Sequence, residues 1–330
     1  MTVEVKTLVV GEGEDGSRLD RWLRRRWPHL AQNHIHKLAR SGQLRVNGAR
    51  VKADSRLAAG QIVRVPPLPD AAPRQGGLGA ADISFVRSLV LYEDEEVLVL
   101  NKPAGLAVQG GTKTPRHLDR LLAAFGEGPE RPRLAHRLDR DTSGVLVLGK
   151  SPKSTAALAG AFAHRQAEKT YWALVAGNPK PAQGTLDLPL AKLGIGDRER
   201  VEPIEASDPR AEAAVTQYAM LSRAGPAAAW MALRPLTGRT HQLRAHMLAL
   251  SHPILGDPKY ATPESQALSG DLKLQLHARR LRLAHPGGGL IDVEAPIGPE
   301  MKAGFAAFGF ALDEAREIEF PTWRRGRHGR

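Results

Sequence analysis

The sequence predicts an α+β protein: a small N-terminal α/β module in front of a large domain built on a mixed, mainly antiparallel sheet. Apolar runs too short for helices, at 97–100, 145–148 and 171–175, read as buried strands. Helical stretches near 114–126, 152–166, 240–250 and 300–312 fall at long, irregular intervals, which argues against a regular βαβ repeat. A Pro- and Gly-rich stretch without periodicity, 67–82, reads as a linker. The expected organisation is an N-terminal segment 1–16, a module 17–66, the linker 67–82, a large domain 83–322 and a basic tail 323–330. With 330 residues, 42% hydrophobic and 25% charged, the chain can bury a core in each domain.

In the front module, Leu19, Trp22, Leu23 and Leu30 recur at helical spacing with arginines between them. A second short helix carries Ile35, Leu38 and Ala39 and ends at Ser41-Gly42, where glycine can cap it in the left-handed conformation. Leu44-Arg45-Val46, Asn47-Gly48 and Arg50-Val51 read as a hairpin, because Asn-Gly suits a turn with positive φ. Residues 62–65 form a last strand.

The net charge of +12 is concentrated. Residues 1–16 sum to −3, 17–66 to +10 and the tail to +4, so the remaining body is close to neutral. Basic modules on a neutral body suit a polyanion, whose phosphates release counterions when neutralised. A basic surface kept for solubility would not concentrate so sharply.

Several chemistries are excluded. The chain has no cysteine, which removes disulfides, thiolate metal sites and a Cys nucleophile. It shows no N-terminal signal pattern and no apolar run of ~18 residues, so a cytoplasmic protein with no membrane partner is expected. Gly11-Glu12-Gly13-Glu14-Asp15-Gly16 imitates a dinucleotide loop, but its three acids would repel a pyrophosphate and no ribose-binding acid follows at the usual distance. The twelve histidines lack ligand spacing, so no metal is expected. Neither a Gly-x-Ser-x-Gly elbow nor a Walker loop occurs.

The segment that stands out is His136-Arg137-Leu138-Asp139-Arg140-Asp141-Thr142-Ser143-Gly144, a charged turn opening onto the apolar strand 145–148. As an arbitrary turn it would be a capped or salt-bridged structural loop. The string "HRLDRDTSG", however, resembles the signature of the RluA-type pseudouridine synthases. So, in the family's order, do "LVLNKPAGLAVQGG" (98–111), "EKTYWALVAG" (168–177), "PLTGRTHQLRAHM" (235–247), "HPILGDPKY" (252–260) and "LHARRLRL" (276–283). Residues 17–66 resemble an S4-type RNA-binding domain, with Gln61 standing where that family usually has Asp. The combination is most similar to the RluC and RluD subgroup, which acts on large-subunit ribosomal RNA, and "VQGGTKT" leans towards the RluC type.

The resemblance implies isomerisation of uridine to pseudouridine in 23S ribosomal RNA or the assembling large subunit, by a monomer without a cofactor. It places the catalytic carboxylate on Asp139, leaving nucleophilic attack and a glycal route both open. Asp141, two residues on, varies in the family and is expected to be structural. Arg244 would sit by the carboxylate, because a guanidinium within a few Å favours the charged form. It lies off the apolar stripe of Leu243, Met247 and Leu250, so it can reach a cleft. Tyr171 would stack on the flipped base and Arg137 would fill the space it leaves. Asn101 and Lys102 would line the cleft. Arg18, Arg21, Arg24, Arg25, Lys37 and Arg40 would hold RNA phosphates. A non-catalytic RNA-binding assembly factor, or a synthase for another structured RNA, stays open as an alternative.

Overall fold

The computed structural model describes residues 5–27, 30, 32–68, 77–110, 114–194, 200–315, 318, 320 and 321. They form two compact units that divide between Gly77 and Leu78. The tail 323–330 and residues 69–76 of the expected linker lie outside the described residues.

The front unit contains β1 (Lys6–Val9), α1 (Leu19–Arg26), α2 (Gln32–Arg40), β2 (Arg45–Val46), β3 (Ala49–Arg50) and β4 (Ile62–Val65). Its four strands lie in the order β1-β4-β2-β3, all antiparallel. Leu19, Trp22, Leu23, Ile35 and Leu38 form the helical side of its core, against Val46, Val63 and Val65 of the sheet. Asn47 and Gly48 take positive φ at the hairpin tip (48° and 78°), as the Asn-Gly pair predicts. At the 60–62 turn the Gln61 side-chain oxygen accepts the Ala58 N–H at 3.0 Å.

The unit starts earlier than the expected 17. Residues 6–9 pair with β4 along their whole length. The acidic loop is also tied in: the Glu14 carboxylate accepts from Trp22 Nε1 at 2.8 Å and from Arg26 at 2.7 Å.

The first element of the rear unit is α3 (Ala80–Arg87), which starts inside the span expected to be linker and runs five residues past its end. Then come β5 (Val90–Glu93), β6 (Val97–Lys102), α4 (Leu118–Leu121), β7 (Arg133–Leu134), β8 (Ser143–Gly149), α5 (Pro152–Ala163) and β9 (Glu168–Ala176). They are followed by β10 (Gln183–Asp187), β11 (Leu190–Leu193), β12 (Arg200–Pro203), β13 (Val215–Ala224), β14 (Ala228–Pro235) and α6 (Gln242–Ala249). Last are α7 (Pro263–Ser269), β15 (Leu276–Ala284), β16 (Leu290–Glu294) and α8 (Pro299–Phe308). The helix expected over 114–126 shrinks to α4 and a 3-10 turn at Leu122–Phe125.

The main sheet has ten strands, with the path β10-β13-β14-β9-β15-β8-β6-β5; β16 joins β15 and β7 joins β8. Among the described residues every pair is antiparallel except β15 with β8. Both faces are covered, which is why the strands read as continuous apolar runs rather than alternating ones. In β6 and β8, Leu98, Leu100, Leu146 and Leu148 pack with α3 and α4, while Val97, Val99, Val145 and Val147 pack with α5. In β14, Met231 and Leu233 face α6, and Trp230 faces α8.

The parallel joint fixes one row across the sheet. Gly144 of β8 pairs with Ala278 of β15, and Ala278 pairs with Tyr171 of β9. At the usual strand spacing this sets the backbones of Gly144 and Tyr171 roughly 10 Å apart. Only glycine fits at 144: its φ is 112° and a Cβ would lie 2.2 Å from the Ala278 carbonyl oxygen.

Candidate active site

β7 and β8 form a hairpin whose long tip, 135–142, is the charged motif. Leu138 is buried in the core under β6 and β8, and its neighbours Arg137 and Asp139 line a cavity. Other contacts hold the tip. The His136 ring stacks on Phe162 at 4.1 Å, and its Nε2 accepts the Val147 N–H at 3.0 Å, so the imidazole is neutral with its proton on Nδ1. Burial, reinforced by the nearby Lys169 charge, pushes its pKa down to about 3. At the base of the tip, the Ser143 hydroxyl donates to His277 Nδ1 at 2.9 Å, and His277 Nε2 donates to the Ala295 carbonyl at 3.1 Å. Burial lowers His277 to about 4.

Lys102 is fully buried, and its ammonium donates to the carbonyls of Pro103, Leu106 and Arg140, each at 2.9 Å. It therefore ties the end of β6 to the tip instead of lining the cleft. Burial lowers its pKa to about 8 against the pull of Asp141, Asp139 and Glu300. Asn101 is likewise away from the cavity, donating to the Pro296 carbonyl at 3.0 Å. The part of that motif that reaches Asp139 is 107–110, which lines a second cavity of about 400 Å³ sharing Arg137, Asp139, His241 and Arg244 with the first.

The first cavity, about 370 Å³, brings together Arg137, Asp139, Tyr171 and Arg244. Its size suits a small-molecule or nucleoside site. Arg137 is exposed at its mouth. Tyr171 faces it from β9, and desolvation, with the Asp139 charge adding to it, raises its phenol well above the ordinary range. Asp139 is the only carboxylate among the lining residues, whereas Arg137, Arg165, Lys169, Arg239 and Arg244 are all cationic. Asp141 lines only the second cavity and a third, and lies 3.9 Å from Arg140.

The guanidinium of Arg244 does not bond Asp139. It makes two 2.7 Å hydrogen bonds to Asp257, and both groups are buried. Burial opposes both charges, but the paired bonds prevail, so Arg244 is held above and Asp257 below its ordinary pKa. Asp257 also accepts the N–H groups of Lys259 and Tyr260. The basic side chain that comes within 4 Å of the Asp139 carboxylate is instead His241, whose Nε2 stands 3.9 Å from Oδ2. In the sequence His241 lies within PLTGRTHQLRAHM and Asp257 within HPILGDPKY, but neither string by itself assigns either residue a part in the site. Lys169 carries no signal of its own either, although period-two spacing from Tyr171 puts it on the same face of β9.

In the front unit, Arg21, Arg24, Arg25, Lys37 and Arg40 are exposed on α1 and α2. Arg18 is partly used by an ion pair with Asp20 at 2.8 Å. Arg40 borders a cavity of about 610 Å³ with His36, Arg50 and Lys52. Among the described residues no group of three His, Asp or Glu side chains is placed to hold a metal ion.

Asp139 and Tyr171 thus line one cavity in which every other charged Asp, Glu, Lys or Arg side chain is cationic. A family model described as RNA pseudouridylate synthase matches residues 96–249, which include the motif, Tyr171 and Arg244. The chain belongs to the RNA pseudouridylate synthase family. It is 33% identical to the ribosomal large subunit pseudouridine synthase C of Vibrio vulnificus, over 91% of this chain and 96% of that protein. The enzyme of the same description from Escherichia coli K12 is also 33% identical, with the same coverage. Among solved structures, human RNA pseudouridylate synthase domain containing 4 superposes with a TM-score of 0.59 at 28% identity, covering 70% of this chain and 98% of that one.

Proposed function

We propose that this protein converts selected uridines of 23S ribosomal RNA to pseudouridine, as a cofactor-independent cytoplasmic monomer with Asp139 as its catalytic carboxylate. The observation that carries this reading is the single carboxylate of the cavity, which Tyr171 also lines. The names of the relatives support the substrate, since similarity to them runs almost end to end.

The target uridine leaves its stack and enters the cavity, which costs a few kcal/mol. Tyr171 offers its ring as a platform, and Arg137 at the mouth fills the space left behind. The cations of the wall accommodate the phosphates that arrive with the nucleotide. Asp139 acts at C1′: the N1–C1′ bond breaks, the uracil turns, and a C5–C1′ bond forms. C5 then loses a proton and N1 gains one, so the reaction is redox-neutral and needs no group donor. The front unit, read as an S4-type domain, supplies affinity through Arg18, Arg21, Arg24, Arg25, Lys37 and Arg40. No described helix is long and apolar enough to cross a membrane.

The test is Asp139→Asn on unmodified 23S ribosomal RNA, read by pseudouridine mapping. The expected result is RNA binding within about twofold of wild type and conversion reduced to background, since the nucleophile or base is gone. Normal conversion would remove Asp139 from the mechanism. Unchanged modification with defective subunit assembly in a deletion strain would favour a non-catalytic assembly role.

A further inference from the structure

His241 precedes α6 with φ 52° and ψ 18°, a left-handed conformation that costs a residue with a β-carbon roughly 1 kcal/mol or more. The side chain does not cap the helix. It turns instead towards the cleft, where it lines both cavities that Asp139 lines. Its Nδ1 is 3.0 Å from the Tyr260 hydroxyl, and its Nε2 is 3.9 Å from Asp139 Oδ2.

The hydrogen bonding of Tyr260 settles the tautomer. Tyr260 is buried, and its hydroxyl oxygen accepts the Val201 N–H of β12 at 2.9 Å. The hydroxyl proton then has one partner among the described residues, His241 Nδ1. Were Nδ1 protonated, that buried proton would have no acceptor, an arrangement proteins avoid. The imidazole proton therefore sits on Nε2, facing Asp139. Tyr260 is itself clamped: the Arg244 guanidinium lies 4.9 Å over its ring, and its own N–H is held by Asp257.

We propose that His241 is a positioning residue for Asp139: its neutral Nε2–H holds the carboxylate towards C1′, and Tyr260 keeps the proton on that nitrogen. The 3.9 Å separation closes to a hydrogen bond when the nucleotide displaces water from the cavity, as long catalytic contacts commonly tighten on substrate binding. The charged groups facing His241 are Asp139, Arg244, Lys259 and Asp257. Burial, aided by the two cations and opposed by the two carboxylates, keeps the imidazole below its ordinary pKa. The inference rests on Asp139 being the catalytic carboxylate.

The experiment measures single-turnover rates and KM on unmodified 23S ribosomal RNA for the full-length wild type, His241→Ala, His241→Gln, Tyr260→Phe and Asp139→Asn across pH 5 to 8. His241→Ala is expected to lower the rate constant about 10- to 100-fold with KM nearly unchanged, the size of loss that follows from a misplaced reacting group. His241→Gln, which can set an amide N–H where Nε2–H stood, should recover most of the rate. Wild type should lose activity on acidification as the imidazolium forms and ion-pairs with Asp139. His241→Gln should lack that acid limb, which a merely structural histidine would not change. Tyr260→Phe, with the tautomer released, should slow the reaction less than His241→Ala. A rate for His241→Ala equal to wild type overturns the proposal, as does His241→Gln with no rescue and an unmoved acid limb. If His241→Ala fails to fold, the His241→Gln profile decides alone. Activity in Asp139→Asn would sink the carboxylate assignment itself, separately from the role of His241.

Discussion

Leu138 decides which way its neighbours face. It is only 7% exposed and packs among Leu98, Leu100, Leu146 and Leu148, which leaves Arg137 and Asp139 on the cavity side of the tip. Leu138→Ala should therefore affect both stability and chemistry. A buried Leu→Ala change costs about 2–5 kcal/mol, and an unanchored tip should slow single-turnover conversion by roughly 10- to 100-fold. Urea unfolding and rate measurements on the same preparation check this. A stability loss with a normal rate would mean that the tip is positioned by Lys102 and His136 alone. The motif letters mark Asp139 as chemical, but a leucine between two charged residues carries no visible sign of being the anchor.

At the scale of elements, two histidines held in the neutral form join the tip to the sheet. His136 receives the Val147 N–H, and His277 bridges Ser143 to Ala295. Their folded pKa values, about 3 and about 4, lie below the ~6.5 of an unfolded histidine. In that window the unfolded chain binds more protons than the folded one, so stability rises with pH. Their contribution is full above about pH 6.5 and is lost as pH falls towards 4 for His277 and 3 for His136, at up to about 1.4 kcal/mol per pH unit per group. The urea midpoint should accordingly drop between pH 7 and pH 5, and His136→Gln should flatten the drop. A midpoint equal at the two pH values would show that these rings are not held neutral. The strands themselves were legible as apolar runs. The parallel β8 to β15 joint was not, because no local pattern reports which distant strand a segment will lie beside.

At the scale of the whole molecule, two units of different electrostatic character share one chain. The +10 of residues 17–66 lies in the front unit, and the lone cavity carboxylate lies in the rear one. Removing residues 1–77, the observed unit and not the expected 17–66, should weaken RNA binding. It should also reduce the slope of log affinity against log salt by roughly 0.7 to 0.9 for each phosphate the protein no longer neutralises. The single-turnover rate at saturating RNA should stay within about threefold, because affinity and base chemistry are separate contributions. A salt titration of both forms measures this, and an unchanged slope would deny the front unit its role in holding RNA.

The sequence alone determined the fold class, the basic front module, the family and the motif that contains Asp139. These properties reside in local patterns: apolar runs, an Asn-Gly turn, clustered arginines and an ordered set of short strings. Tertiary structure decided what each polar side chain touches. It moved Arg244 onto Asp257, buried Lys102 under three carbonyls, brought β1 into the front sheet and put His241 beside the carboxylate. The physical reason is that a charged side chain takes its role from partners contributed by distant segments. Asp257 is 13 residues from Arg244, and His241 is about a hundred from Asp139. No period or spacing in the chain encodes such a meeting before the sheet is closed.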